Sequence, residues 1–424
     1  MEQNETGVSP GGRLARARPP PRTSWFVGAV AAAVVVLATV ATWGVPGAGP
    51  FATEVCERSF QVEPPTTTPV KHLFVIVNEN HAFENYFGTL AGVAGYPPNG
   101  SFPVAFNSTV TVHPFPLTGY STPDLPHDAA SDLVDYNGGL NNLFVAQANA
   151  SGFADPDDAV GYYTAQQIPD YFAYARNYTV GDHFFTGVLG PTAPNRVFDL
   201  SAYVGSWDAD TTPPASVTDQ PTVLGQLTDA EIPWEYDYVG PPVVLAPNEF
   251  PALSTDPCSS SRVTVVEDLP GQLSGPTPPS VVYVDPSNSD TLSEHPPENV
   301  SVGEEWTVSV VNTILESPVG SSSAILIFFD ENGGFWDPVP PPMTSTGLDG
   351  FRVPFIVISP WTPAGTVCHD PVDSASVLNF IDANWGLPFL NPRVASAGDL
   401  SCFFDFSQVP RPPIVLPTNV SLAG

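Results

Sequence analysis

The chain has 424 residues, enough for one large domain or two smaller ones with a sizeable hydrophobic core. It contains 44 acidic and 12 basic residues, for a net charge of −32, and 51 prolines. Several of the arginines fall within the first 22 residues, so the rest of the chain is more acidic still. A surface with this charge repels nucleic acid and anionic lipid headgroups, which argues against a polyanion-binding function.

The N-terminal segment has the pattern of a membrane anchor. Residues 1–23 form a basic, polar tail, and residues 24–48 contain a long apolar run without a charge. Such a run is long enough to cross a bilayer as a helix, and the arginines are expected to stay in the cytoplasm. A cleaved signal peptide is the alternative, and both interpretations place the rest of the chain outside the cell.

Two further features agree with export and with a glycoprotein. Asn-x-Ser/Thr triplets, which accept glycans in exported proteins, occur outside the anchor. They begin at Asn99, Asn107, Asn149, Asn177, Asn299 and Asn419. The cysteines could form two disulfides in an oxidising compartment, with three pairings open. They are Cys56, Cys258, Cys368 and Cys402.

After a linker at residues 49–67, predicted strands and helices alternate along the chain. Strands are predicted from apolar runs at residues 73–78, 232–239, 280–285, 322–329 and 354–359. Helices are predicted within residues 135–150 and 165–178, at 221–230, 303–316 and 374–386, and in a segment that begins at residue 192. Residues 95–126 and 239–262 are expected to be irregular. Strands that are apolar throughout and interleaved with helices indicate an α/β fold with a largely parallel central sheet flanked by helices on both faces. One domain at residues 68–412, followed by a tail at 413–424, is the economical interpretation.

Polar side chains follow two of the predicted strands at the point where each strand ends. Glu79 and Asn80 follow the first strand, and Asp330 and Glu331 follow the strand before Gly333. In an open α/β sheet, ligands bind beyond the carboxyl ends of the strands. Three carboxylates and an amide oxygen there would form an oxygen-rich cage for a divalent cation. Taken alone, Asn80 could instead cap the next helix.

Thr192 follows Gly190-Pro191 at a predicted helix start. A helix N-terminus offers free N–H groups and a positive dipole end, which suit a phosphoryl group and favour the ionised form of a hydroxyl. Metal coordination would lower the pKa of that hydroxyl further and make it a nucleophile. A helix cap is the alternative for Thr192 alone. In combination with the acidic clusters, the pattern indicates metal-assisted phosphoryl transfer.

Four motifs in this order resemble a known family. Residues 79–88 (ENHAFENYFG) are similar to ENRSFDxYFG, and residues 190–196 (GPTAPNR) match GPTxPNR. Residues 330–341 (DENGGFWDPVPP) are similar to DExGGxxDHVPPP, and residues 350–360 match GxRVPxxVISP. The chain therefore resembles the phosphoesterase family that contains bacterial phospholipases C and secreted acid phosphatases, with an alkaline-phosphatase-like fold.

The resemblance implies roles for the matching residues. It implies one divalent metal ion, of open identity, bound by Glu79, Asn80, Thr192, Asp330 and Glu331. Thr192 would attack phosphorus and form a phosphothreonyl intermediate. His127 and His295 resemble family histidines that contact the phosphoryl oxygens or protonate the leaving group, and a pKa near working pH suits that proton transfer. The alternative for both histidines is a loop residue bonded to nearby backbone.

The chain also departs from the family pattern. The opening motif has His81, Ala82 and Glu84 in place of Arg, Ser and Asp. In residues 330–341, called the late motif below, Asn332 and Pro338 replace two histidines. Proline cannot transfer a proton from its side chain, so weak turnover or a narrowed substrate preference is expected. His183 and His369 are candidates to replace the lost histidine in space.

These observations predict an exported, membrane-anchored, metal-dependent hydrolase of phosphate esters, of the acid phosphatase type. A phospholipase C that cleaves phosphodiester headgroups is the first alternative, and a non-catalytic surface glycoprotein is the second. The monoesterase is favoured because the chain ends soon after the catalytic domain. The expected partner is a phosphate-ester substrate, with no nucleic acid and with membrane contact through the N-terminal helix only. The oligomeric state stays open.

Overall fold

The computed structural model describes residues 63–97, 99–240, 246–286 and 289–424. The predicted basic tail, the predicted anchor at 24–48 and Cys56 lie outside these residues. Within the described ranges, no helix is both long enough and apolar enough to cross a bilayer.

An eight-stranded sheet forms the centre of the fold. Its strands are β1 (His72–Asn78), β2 (Thr179–Gly181), β3 (Trp234–Tyr238), β4 (Val263–Val265), β5 (Val281–Asp285), β6 (Ser323–Phe329), β7 (Phe355–Ile358) and β8 (Thr366–Cys368). Their spatial order is β8-β2-β7-β6-β1-β5-β3-β4. Strand β7 runs antiparallel to its neighbours β6 and β2, whereas the other adjacent pairs are parallel. The predicted α/β fold with a largely parallel sheet is therefore confirmed.

Strands β1 and β6 form the middle of the sheet. Every residue of both strands is buried, which explains their continuous apolar sequences. The two strands pair in parallel from His72 with Ser323 to Asn78 with Phe329. Their carboxyl ends therefore meet at the same edge of the sheet. Lys71 lies at the opposite edge, where its ammonium group pairs with Glu63 at 2.7 Å.

Helices cover both faces of the sheet. The longer ones are α1 (Ala129–Tyr136), α2 (Phe144–Ala150), α3 (Pro169–Asn177), α4 (Thr192–Ser201), α5 (Val223–Asp229), α6 (Val300–Glu316) and α7 (Ser374–Asn384). Shorter ones lie at Phe83–Phe87, Ala215–Thr218, Pro251–Ser254, Pro257–Ser260, Leu269–Ser274, Asp290–Ser293 and Pro392–Ser396. Helix α6 begins earlier than predicted because the side chain of Asn299 accepts the N–H of Ser301 at 3.0 Å and caps it.

Several elements were not predicted. Helix α1 begins after Asp128, whose carboxylate accepts the N–H groups of Ala130 and Ser131. The expectation that residues 239–262 are irregular was wrong at Pro251–Ser254 and Pro257–Ser260, which form two short helices. Strands β2, β4 and β8 are only three residues long, too short for a periodicity to appear in the sequence. Two-stranded pairs join Phe102–Pro103 to Thr111–Val112, Phe115–Pro116 to Gly161–Tyr162, Phe184–Phe185 to Val372–Asp373, and Met343–Thr344 to Gly347–Leu348.

The C-terminal residues lie along α6. Asn312 donates to the carbonyl of Leu416 at 2.7 Å, and the indole of Trp306 donates to that of Leu422 at 3.0 Å. A disulfide between Cys368 and Cys402 joins the end of β8 to the turn before this segment. These contacts fix the C-terminal residues on the domain.

Candidate active site

The end of β1 turns sharply and exposes its polar residues to the carboxyl edge of the sheet. Asn80 and His81 have φ values of 62° and 72°, in the left-handed region that few residues other than glycine adopt. The backbone N–H of Asn80 donates to Asp330 Oδ1 at 2.9 Å, which joins the ends of β1 and β6. Strain of this kind persists only where the surroundings impose it, and it is concentrated at functional sites.

Glycines allow the late motif to approach Asn80. Gly333 and Gly334 have φ values of +63° and +72°. A Cβ atom on Gly333 would lie 2.7 Å from the Cβ of Asn80, and one on Gly334 would lie 2.6 Å from the carbonyl oxygen of Pro126. Both contacts are too short for a side chain, so the close approach requires glycine.

Arg196 holds three acidic side chains together. Its guanidinium donates to Glu79 Oε1 at 2.7 Å, to Asp285 Oδ1 at 3.0 Å and to Asp330 Oδ2 at 3.2 Å. Arg196 lies one helical turn after Thr192, so both side chains lie on the same face of α4. The arginine therefore fixes one oxygen of Glu79 and one of Asp330.

The remaining oxygens of this cluster fit a divalent cation. Glu79 Oε2 lies 3.3 Å from the Thr192 hydroxyl, which donates to it. Glu331 Oε2 accepts the N–H of Gly333 at 2.6 Å. Glu331 Oε1 and Asn80 Oδ1 are buried and have no hydrogen-bond partner among the residues that the structure describes. Buried oxygens without a partner, beside crowded carboxylates, are what a hard cation would satisfy.

The pKa values in this cluster point the same way. Burial raises the pKa of Glu79 well above its usual range, and Asp330 raises it further, while Arg196 lowers it. Burial also raises the pKa of Glu331, again with a contribution from Asp330. Arg196 alone therefore does not offset the negative charge of these carboxylates. A bound cation would supply the missing positive charge.

Thr192 is the first residue of α4, and Pro191 occupies the cap position. The alternative that the Thr192 side chain caps its own helix is not what the structure shows, because its hydroxyl is directed to Glu79. Asn195 shapes the preceding turn, since its amide donates to the carbonyls of Gly190 at 2.9 Å and of Pro191 at 3.1 Å. The turn thus holds the hydroxyl beside the carboxylate cluster.

His127 and His295 lie next to each other at the same site, with ring centroids 6.0 Å apart. His127 Nδ1 donates to the carbonyl of Leu125 at 2.7 Å, and its Nε2 lies 4.0 Å from Glu331 Oε1. His295 Nδ1 donates to the carbonyl of Pro296 at 2.6 Å. The predicted backbone bond therefore involves one nitrogen of each ring and leaves Nε2 for proton transfer.

A cavity of about 300 Å³ opens beside these groups. Its lining includes Thr192, His295, Trp207, Glu249 and Asp285. The indole of Trp207 donates to the hydroxyl of Thr211 at 3.1 Å. The walls thus combine an aromatic surface with carboxylates next to the candidate nucleophile.

Glu294, the residue directly before His295, is held in place by buried hydrogen bonds and thereby positions His295. Its buried carboxyl accepts the hydroxyls of Tyr86, at 2.5 Å, and Tyr171, and burial raises its pKa to about 8. His81, one of the departures from the family pattern, donates from Nε2 to the Glu294 carbonyl at 2.9 Å, and burial lowers the pKa of His81 to about 4. His81 therefore supports the loop that carries His295.

Glu84, another departure from the family pattern, forms a buried ion pair. Arg352 is fully buried and donates to Glu84 Oε1 at 2.9 Å and to Asp337 Oδ1 at 2.8 Å. Glu84 thus keeps the carboxylate that the family has as Asp. Asn332, in place of a family histidine, donates to the carbonyl of Phe335 at 3.0 Å and stabilises the glycine turn.

His183 and His369 lie elsewhere along the same edge. They follow β2 and β8, which β7 separates from β6. Both rings hydrogen-bond to the carboxylate of Asp182. His183 is also close enough to Asp337, the residue before Pro338, to lower the pKa of that carboxyl group, so its role as a replacement for the lost histidine stays a prediction.

Sequence reasoning missed Arg196, Asn195 and Asp285. The first two belong to the GPTAPNR motif, and the helical spacing from Thr192 to Arg196 would have placed that arginine at the site. Asp285 ends β5 in the same way that Asp330 follows β6. An acidic residue at a third strand end was therefore a usable signal.

The fold and the site define an α/β enzyme with a carboxylate-rich centre beside a hydroxyl at a helix N-terminus. A sequence model of the phosphoesterase family matches residues 70–388. The chain belongs to this family and is a phosphoric ester hydrolase.

The chain is also similar to individual proteins. The chain is 28% identical to phospholipase C B of Mycobacterium tuberculosis, over 81% of this chain and 79% of that protein. It is 26% identical to the hemolytic phospholipase C of Pseudomonas aeruginosa, over 83% of this chain and 59% of that protein. Among solved structures, it is similar to the lipoteichoic acid synthase LtaP of Listeria monocytogenes, with a TM-score of 0.40 and 8% identity, over 81% of each chain.

Proposed function

We propose that this hydrolase acts through a nucleophilic Thr192 and a divalent metal ion. The ion would be held by Glu79, Asn80, Thr192, Asp330 and Glu331. The observation that carries the proposal is the contact of the Thr192 hydroxyl with Glu79 Oε2 at 3.3 Å, beside the unpartnered oxygens of Asn80 and Glu331. Arg196 keeps these carboxylates in place.

The proposed reaction has two stages. Thr192 attacks phosphorus and forms a phosphothreonyl intermediate, and water then hydrolyses that intermediate. A bound cation would favour the ionised hydroxyl and offset the charge of the phosphoryl oxygens. His295 or His127 donates a proton from Nε2 to the departing alcohol oxygen, because Nδ1 of each is held by a backbone carbonyl.

A phosphodiester of the phospholipase C type is the substrate that we favour. Relatives named phospholipase C match over most of this chain, which supports a diester over the monoester expected from the sequence. The cavity beside Thr192 offers room for the alcohol portion. Glu249 and Asp285 in its wall disfavour the second phosphoryl charge that a phosphomonoester carries and a phosphodiester lacks. A phosphomonoester is the second candidate.

The test compares two chromogenic substrates. We expect the purified protein, with added divalent metals, to hydrolyse p-nitrophenyl phosphorylcholine faster than p-nitrophenyl phosphate. Thr192→Ala should lower kcat by roughly 10³-fold or more, because both the nucleophile and a ligand are lost. Thr192→Ser should keep part of the activity.

Thr313→Ala is the matched control. Thr313 bonds only within α6, to the carbonyl of Ser309 at 2.8 Å, so its loss should leave kcat unchanged. Equal hydrolysis by the parent and Thr192→Ala would remove Thr192 as the nucleophile. No hydrolysis by the parent with any metal would favour the non-catalytic alternative.

Export of the domain also stays a proposal. The Cys368–Cys402 disulfide supports it, because disulfides persist in oxidising compartments. Cell fractionation of the full chain and of a variant without residues 1–48 would test it. Retention of the shortened chain in the cytoplasm, and its absence there when the segment is present, is the expected outcome.

A further inference from the structure

A second cluster of metal-binding side chains lies outside the proposed catalytic centre. Asp182 and His183 follow β2, and His369 follows β8, at the carboxyl edge of the sheet. The Asp182 side chain is fully buried, whereas His183 and His369 have side-chain exposures of 26% and 60%. The cluster therefore has a buried base and an opening to solvent.

The donor atoms converge on a single carboxylate. Asp182 Oδ1 lies 2.8 Å from His183 Nδ1 and 3.1 Å from His369 Nδ1, and Asp182 Oδ2 lies 2.9 Å from His369 Nδ1. Ligands that bind one ion tetrahedrally with bonds of about 2.1 Å are roughly 3.4 Å apart. Each histidine Nδ1 lies within this distance of the Asp182 carboxylate, and one donor atom from each of the three residues lies within 4.8 Å of the others.

The surrounding charges favour a cation. Arg352 donates to the backbone carbonyl of Asp182, but its charge is matched by the carboxylates of Glu84 and Asp337. Asp370, next to His369, is exposed and carries a further carboxylate. The local charge is thus negative before any ion binds.

We propose that Asp182, His183 and His369 form a binding site for a divalent transition-metal ion, best matched by Zn²⁺. Two imidazole nitrogens and one carboxylate suit zinc and its neighbours, whereas the all-oxygen centre at Glu79 and Asp330 also suits Mg²⁺, Ca²⁺ or Mn²⁺. To bind the ion through Nδ1, each histidine adopts the neutral tautomer that carries its proton on Nε2. Water fills the positions that face solvent.

The proposed ion links two segments near the disulfide. One segment runs from Asp182 through Phe184–Phe185 toward Thr192, and the other runs from Cys368 to Val372–Asp373. The N–H of Val372 already donates to the carbonyl of His183 at 2.9 Å. The ion would therefore hold these two segments together.

The experiment uses the full chain without a histidine tag and with Mg²⁺ in excess. Zn²⁺ titration by calorimetry should show one site, and Cu²⁺ used as a probe should give an electron paramagnetic resonance signal split by nitrogen. His369→Ala should weaken Zn²⁺ binding by at least about tenfold and reduce the nitrogen splitting from that of two nitrogen ligands to that of one. Zn²⁺ should raise the Tm of the parent but not of this variant.

His113→Ala is the matched control, because His113 is also exposed and bonds only to the carbonyl of Gly100. It should bind Zn²⁺ like the parent. His369→Asn keeps a hydrogen-bond donor for Asp182 and guards against a loss caused by misfolding. Equal Zn²⁺ affinity in the parent and both His369 variants, or no binding by the folded parent, would show that the histidines only pair with Asp182.

Discussion

At the scale of single residues, each acidic side chain of the candidate centre divides its two oxygens between support and function. Glu79 and Asp330 each use one oxygen to accept from Arg196, and Glu331 uses one to accept from Gly333. The second oxygen contacts Thr192 in Glu79 and Asn80 in Asp330, whereas that of Glu331 has no hydrogen-bond partner among the described residues. Arg196 and Gly333 therefore hold the carboxylates in position, and neither takes part in the proposed reaction.

Gly333→Ala should weaken metal activation. A Cβ at this position would meet Asn80 at 2.7 Å and push it away from the centre. We expect the metal concentration for half-maximal activity to rise by roughly tenfold, as for other changes next to a ligand. Measurement of hydrolysis against metal concentration would check this.

Gly386→Ala is a close control for that change. Gly386 has a similar φ of +67°, but a Cβ there meets no atom within 4 Å. Both variants should lose roughly 1 kcal/mol of stability from the left-handed backbone. A similar loss of metal activation in both would show that strain, and not displacement of Asn80, is the cause.

At the scale of elements, Arg352 joins three segments that lie far apart in the sequence. It leads into β7 and binds Glu84 on the short helix after β1 and Asp337 in the loop after β6. The ring of Phe83 lies 4.9 Å from its guanidinium carbon. The arginine therefore fixes the loops on which Asn80 and Glu331 depend.

Arg352→Met should destabilise the fold strongly. Removal of one partner leaves Glu84 and Asp337 buried without a counter-ion, which costs about 3 to 5 kcal/mol. Urea unfolding of the metal-free protein would measure it. Arg176→Met, at an exposed arginine on α3, should change the free energy of unfolding by less than about 1 kcal/mol.

At the scale of the whole molecule, burial raises the pKa of several carboxyl groups above that of the unfolded chain. Burial raises the pKa of Asp237 to about 7, although Gln272 and Thr264 donate hydrogen bonds to it. Asp199, Asp349 and Asp382 have pKa values raised to about 7 for the same first cause. The unfolded chain loses these protons near pH 4, so the folded state binds more protons between about pH 4 and 7. Stability should therefore fall as pH rises through this window.

Asp237→Asn should flatten that dependence. Each such carboxyl contributes a slope of up to about 1.4 kcal/mol per pH unit, and an amide does not titrate. Unfolding in urea at a series of pH values from 4.5 to 8 would measure the slope. Asp229→Asn, at an exposed position, should leave it unchanged. An equally steep fall in Asp237→Asn would exclude this carboxyl as a source.

The sequence was sufficient for the centre of the sheet but not for its margins. Strands β1 and β6 are long, apolar and buried on both faces, so their composition alone identified them and the acidic residues at their ends. Strands β2 and β8 are short, and their pairing is set by contacts distant in sequence. The role of Arg196 escaped for the same reason, because Glu79, Asp285 and Asp330 converge on it only in the folded chain.

Lys71 gives the molecule a practical property. It is the chain's only lysine, its side chain is 47% exposed, and it lies just before β1. A strand of seven residues separates it from Glu79, which at about 3.3 Å per residue is a distance of roughly 23 Å. An amine-reactive fluorophore would therefore modify a single side chain, at the edge of the sheet opposite the centre. The same scarcity of basic residues that repels polyanions thus provides one side-chain attachment point, besides the α-amino group, for optical or surface-based binding measurements.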